Sequence, residues 1–155
     1  MRHAQPLALD RDALDAYLLE IFPEYWGDRS LELMSVAEMS ATLKLNHRKS
    51  HLRPGGTISG PAMFALADVA LYCALLAQIG RVRLAVTTNL NINFLRKPEA
   101  GDLMAEARLL KLGKSAAVGE VLIHAAGQGS LVAHATGAYA VPALDDDGRP
   151  ISRRE

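Results

Sequence analysis

Residues 59–80, SGPAMFALADVALYCALLAQIG, limit what this chain can become more than any other stretch. Ser59 or Gly60 can cap a helix, Pro61 suits its first turn and Gly80 suits its end. From Pro61 to Ala77 the only charged residue is Asp68. A helix that is apolar almost all round must be buried on nearly all sides. A membrane span is the rival reading, and the segment is near the lower length for one. A carboxylate at its centre would cost about 2.5–3.5 kcal/mol there, and strand patterns follow it. The pattern therefore predicts a central helix wrapped by a curved sheet.

The rest of the chain supplies that sheet. Residues 10–22 read as an amphipathic helix, with Asp10 or Asp12 at its start, Leu14, Leu18, Ile21 and Phe22 on one face, and Pro23 ending it. LELMSV and MSATLKLNH follow as two short strands. In the second, Met39, Ala41, Leu43 and Leu45 alternate with polar residues, which marks one buried face. HRKSHLRPGG is a loop. Residues 84–95 alternate Leu90, Ile92 and Phe94 with Asn89, Asn91 and Asn93. KPEAGD turns the chain, and three more strands follow, separated by short Gly-containing turns. The order is short helix, two strands, long helix, four strands. It predicts one α+β domain over residues 1–155, with a helical N-terminal extension over 1–29 and a loose tail over 142–155.

One antiparallel sheet cannot cover one central helix on every side, so the pattern asks for a second copy. Lys plus Arg and Asp plus Glu each number 17, so the net charge is zero, without the basic footprint of a nucleic-acid binder. The single cysteine, Cys73, forms no intramolecular disulfide and fits a reducing compartment. The first residues, MRHAQPLALDRDALD, lack the apolar run of a signal peptide. The expected location is the cytoplasm, with no membrane and no nucleic-acid partner.

RPGGTISGPAMFALADVALY, TTNLNINFLRKPEAGD and LLKLGKSAAVGEV, in that order and spacing, resemble the PaaI-like acyl-CoA thioesterases. The likeness spans roughly residues 31–141. It implies a hotdog fold, in which an antiparallel sheet wraps a long central helix. It also implies an obligatory homodimer, a dimer-of-dimers assembly, an acyl-CoA substrate and no cofactor.

Asp68 is the residue whose chemistry most needs explaining. A carboxylate on an apolar helix must find donors or face a cleft. It either ties the helix to a strand or to its twin across a dimer axis, or it serves as nucleophile or general base. PGGTISG places unpaired N–H groups and the positive end of the helix dipole together, suited to an oxyanion. Gly60, without a side chain, lets its amide be approached closely. Gly60 and Asp68 are eight residues apart, about 12 Å along a helix. One thioester carbon cannot touch both groups of the same chain, so joint action requires two subunits.

The resemblance carries over residue by residue. Asp68 stands at the family's catalytic carboxylate and Gly60 at the glycine whose amide faces the thioester carbonyl. Thr87 stands at a Ser/Thr position that orients water, and is otherwise an ordinary strand residue. The family commonly has His-Gly-Gly at the helix start, where this chain has Ser59-Gly60-Pro61. Ser59 can donate a hydrogen bond but cannot carry a proton near neutrality. Arg53 stands where an Asn or Gln is common, and with Gly56 it is a candidate substrate contact. Arg96, Lys97, Lys111 and Lys114 are candidates for the coenzyme A tail, or are solvated surface charges.

Other chemistries lack support. The sequence holds no GxSxG, CxxC, HExxH, GxGxxG or P-loop pattern, so no metal site is expected. His47 and His51 fall in a loop. His124 and His134 lie on neighbouring strands, where a structural pair is expected. Cys73 reads as a packed core thiol. Two other readings stay open: a non-catalytic hotdog module that binds acyl-CoA or another apolar ligand, and a hotdog dehydratase.

Overall fold

The computed structural model describes residues 6–149 and 151. Two helices, α1 (Arg11–Ile21) and α2 (Pro23–Trp26), lead into strands β1 (Leu31–Ala37) and β2 (Ser40–Leu45). The long helix α3 (Gly60–Ile79) comes next, then β3 (Val86–Phe94), β4 (Leu103–Leu112), β5 (Ala116–Ala125) and β6 (Leu131–Ala140). The six strands form one sheet in the order β1-β2-β4-β5-β6-β3, every pair antiparallel. With α3 lying in its concave side, this is the predicted hotdog fold.

Local chemistry sets the boundaries. The Asp10 carboxylate accepts from the Ala13 N–H at 2.8 Å and caps α1. Leu14, Tyr17 and Leu18 then turn into the core. Pro23 does end α1, and it also opens α2, since its missing N–H costs nothing at a first helical position. Met39, expected in the second strand, instead occupies the β1–β2 turn with φ +58°. Its N–H donates to the Gln78 side chain at 2.9 Å and its carbonyl accepts from Leu109 at 2.7 Å. Ala41, Leu43 and Leu45 are buried as the alternation predicts.

The candidate membrane helix is the core. Leu66, Ala67, Ala70, Ala74, Leu75 and Leu76 of α3 are fully buried. They meet a sheet face rich in small side chains, among them Ala105, Ala107, Ala117 and Ala135. The closest approach is at Leu71. Gly119 and Gly137 lie opposite each other on β5 and β6. A Cβ at Gly119 would stand 2.6 Å from Leu71 Cδ2 and 2.7 Å from the Arg108 carbonyl oxygen. A Cβ at Gly137 would stand 2.9 Å from Leu71 Cδ1. The two glycines therefore form a notch that receives Leu71 and fixes the depth of α3.

The alternation seen in residues 84–95 meets a different fate. β3 is an edge strand, paired only with β6. Leu90 and Ile92 are half-buried, while Phe94 is 51% exposed, because no further strand or helix among the described residues covers that flank. In the tail, residues 145–149 form a turn in which the Asp145 carboxylate accepts from the Asp147 and Arg149 N–H groups at 3.0 and 2.7 Å. Of the tail expected to be loose over 142–155, residues 150 and 152–155 lie outside the described residues, as do residues 1–5.

Gly119→Ala should lower stability by about 1–3 kcal/mol, the usual cost of an overpacked core contact. Thermal or urea unfolding should show a reduced midpoint, and Gly137→Ala should behave alike.

Candidate active site

Asp68 sits in the middle of α3 on the side that faces β3 and β6. Thr87 and Tyr139 are directly paired across those strands, and both reach the carboxylate. Thr87 Oγ1 donates to Asp68 Oδ1 at 2.7 Å. The Tyr139 hydroxyl lies 2.6 Å from the same Oδ1 and 2.7 Å from the Asp68 carbonyl oxygen. Among the described residues nothing donates to Oδ2. One carboxylate oxygen is thus held by two hydroxyls and the other is free.

Asp68 lines a cavity of about 520 Å³ together with Phe22, Val69, Tyr72, Val86 and Thr87, among others. Tyr139 stacks on Tyr72 with ring centres 6.1 Å apart and planes 16° from parallel. The Tyr72 hydroxyl donates to the Arg83 carbonyl at 3.0 Å. Burial pushes the Tyr72 phenol up to about 12. Burial also raises Tyr139, and its hydrogen bond to Asp68 raises it further. Both phenols remain neutral donors through the physiological range.

The start of α3 forms a second, separate cavity of about 480 Å³. Ser59, Gly60, Phe94, Arg53, Arg96 and Lys97 line it. Ser59 is the N-cap, its hydroxyl oxygen accepting from the Ala62 N–H at 3.2 Å and its own N–H donating to the His51 carbonyl at 2.7 Å. Pro61 offers no N–H, and the Gly60 N–H has no acceptor among the described residues. A Cβ on Gly60 would lie 3.2 Å from the Phe94 ring, so this position has little room for a side chain. Asp68 and Gly60 therefore open into different cavities of one chain. Thr87, which holds Asp68, is the second residue of β3, and Phe94, which covers Gly60, is its last.

The structure brings Arg53, Arg96 and Lys97 together at Gly60, and places Lys111 and Lys114 elsewhere. Lys111 faces Val118 across β4 and β5. Lys114 lines a pocket with Ser115, Val141 and Leu144. Ala116 and Val86 both pair with Ala140, so the Lys114 turn stands at the Asp68 end of the sheet. Gly56 lies in an exposed turn with φ +83°, its N–H donating to the Arg53 carbonyl at 3.0 Å.

Tyr139 and Tyr72 escaped the sequence reading. A signal existed for Tyr139: Ala133, Ala135, Gly137 and Tyr139 recur with a period of two on the inward face of β6. A phenol aimed into a core needs a polar partner. The expected His124–His134 pair does not form. His134 Nε2 instead engages Glu120 at 3.1 Å, which also accepts from Arg108 at 2.7 Å, and His124 Nδ1 meets the Gly129 carbonyl at 3.2 Å. Each imidazole takes an oxygen acceptor within reach in preference to the other ring. Among the described residues no three His, Cys, Asp or Glu side chains cluster as metal ligands.

Comparison with known proteins agrees with this geometry. The thioesterase superfamily profile matches residues 55–132. The crystal structure of a candidate thioesterase from Silicibacter sp. TM1040 superposes with a TM-score of 0.82 and 48% identity, over 90% of this chain and 96% of that one. A variant of the phenylacetic acid degradation protein PaaI from Thermus thermophilus gives a TM-score of 0.67 and 26% identity, over 76% of this chain and 98% of that one. A candidate esterase of Saccharolobus solfataricus is 29% identical over 111 residues, 72% of this chain and 73% of its own length. The chain belongs to the thioesterase superfamily. Within it, the chain is a PaaI-like hotdog protein and a thioester hydrolase.

Cys73 is fully buried, and burial raises its thiol well above the ordinary range. It should resist a thiol reagent in the native protein and react promptly in denaturant. Absorbance of the released chromophore checks this.

Proposed function

We propose that the chain hydrolyses a small or medium acyl- or aryl-CoA thioester at a site shared by two subunits. The observation that carries this reading is the placement of Asp68 and Gly60 at opposite ends of β3, an edge strand whose outer side meets no strand among the described residues. β3 carries the exposed apolar side chains Val86 and Phe94, with Leu84, Leu95 and Phe64 beside them. Such an edge is a template for another strand. Antiparallel pairing of β3 with its own copy about Leu90, its central residue, is isologous. It brings the Asp68 end of one subunit to the Gly60 end of the other.

At that junction the chemistry is complete. Water attacks the thioester carbon while Asp68 Oδ2 takes its proton. The carbonyl oxygen becomes an oxyanion, stabilised by the N–H of Gly60 of the partner subunit and by the positive end of that helix. Collapse breaks the C–S bond, and the proton passes from Asp68 to the departing thiolate. One thioester and one water give one acid and one thiol, with no cofactor. Thr87 holds the carboxylate, and Ser59 shapes the helix start without serving as a proton carrier. Direct attack by Oδ2 gives the same products through an anhydride. A single turnover in oxygen-18 water distinguishes the two, since label in the Asp68 carboxylate arises only by direct attack.

Arg53, Arg96 and Lys97 surround the Gly60 cavity and supply positive charge for the phosphates of the coenzyme A tail. Lys111 and Lys114, at the far end of the same chain, reach that tail only across the interface. The apolar cavity beside Asp68 receives the acyl group.

Free-thiol release from short, long and aryl acyl-CoAs tests this reading. Asp68→Ala should lower kcat by about 10²–10⁴-fold while the protein keeps its assembly. Equal activity in both proteins would remove Asp68 from the mechanism.

A further inference from the structure

We propose that Tyr139 is a positioning residue for the hydrolysis: its hydroxyl, together with that of Thr87, locks Asp68 Oδ1 and so aims Oδ2 at the reacting carbon. This inference rests on the assignment of Asp68 to the reaction.

Three observations carry it. The phenol oxygen lies 2.6 Å from Oδ1, short for a hydrogen bond and typical of one to a charged acceptor. Two hydroxyls meet one carboxylate oxygen while the other takes none among the described residues. A carboxylate hydrogen-bonded on both oxygens, or on neither, would lack this bias. The phenol is itself fixed. Its ring stacks on Tyr72, and its oxygen also lies 2.7 Å from the Asp68 main-chain carbonyl. That second contact gauges the distance between β6 and α3 at the very residue that reacts. Tyr139 is 5% exposed, so water does not compete for its proton.

The chemistry fits positioning rather than proton transfer. Burial keeps the phenol protonated, so it donates to Oδ1 throughout the working range and is unsuited to exchanging a proton with substrate. A carboxylate free to rotate would present either oxygen, at a misplacement that costs about 10²-fold per ångström in comparable settings.

Tyr139→Phe removes the hydroxyl and keeps the stacked ring. Measured on the assembled protein with the best thioester of the panel, kcat should fall roughly 10- to 100-fold with KM nearly unchanged. A merely structural loss would instead move KM or the assembly along with kcat. In the Asp68→Ala background the same change should have no further effect. An unchanged kcat in Tyr139→Phe, with Asp68→Ala inactive, would overturn this inference alone. Full activity in Asp68→Ala would instead overturn the reading beneath it. If Tyr139→Phe does not assemble, 3-fluorotyrosine at position 139 replaces it. Its fluorine resonance in the otherwise native protein should differ from that in Asp68→Asn; the same resonance in both refutes the contact.

Discussion

The seating of Leu71 in the notch between Gly119 and Gly137 governs the rest of the molecule. An apolar helix gains most by lying deep in its sheet, since stabilisation scales with apolar area removed from water. Depth is limited by whatever side chains project from the strands. Two facing glycines, flanked by alanines, lower that limit and set the helix close to β5 and β6. Asp68 lies one turn before Leu71 on the same helix. Its distance from Thr87 and Tyr139 is therefore a consequence of the packing, and the two hydroxyls reach it because the sheet is near.

The same packing explains why one carboxylate is tolerated on this helix. A buried polar group must be hydrogen-bonded or it is costly. Asp68 is half-buried, bonded on one oxygen and open to a cavity on the other. That compromise is also what a hydrolytic carboxylate requires: fixed enough to be aimed, exposed enough to reach water. At the other end of the helix the sequence Ser59-Gly60-Pro61 leaves one N–H without an acceptor among the described residues, beneath an aromatic ring. The helix thus carries an open N–H at its start and a part-open carboxylate at its middle, about 12 Å apart along its axis.

Much of this was legible in the residues. The period-two runs and the near-total apolarity of residues 61–77 specify the strands and the core helix, because each pattern has one way to bury itself. Asp68 and Gly60 stood out as chemical exceptions to those patterns, while Thr87 was marked by the family resemblance alone. Legibility ended where tertiary contacts decide. Met39 continues the alternation of its strand, yet Gln78, distant in sequence, draws it into a turn. His134 prefers Glu120, one strand away, to His124. Tyr139 reads as one more inward residue until its hydroxyl is seen on the carboxylate. The split of the basic residues between Arg53, Arg96 and Lys97 at one end, and Lys111 and Lys114 at the other, depends on strand order, which no local pattern encodes.

The central claim is that each reaction centre takes its carboxylate from one subunit and its oxyanion donor from the other. Co-expression of Asp68→Ala with Gly60→Pro, which deletes that N–H, tests it most directly. Each variant alone should be inactive. Random pairing makes half the dimers mixed, each with one intact centre of two, so the mixture should recover about one quarter of native thioesterase activity per dimer. A mixture no more active than the two variants measured separately would contradict a shared site.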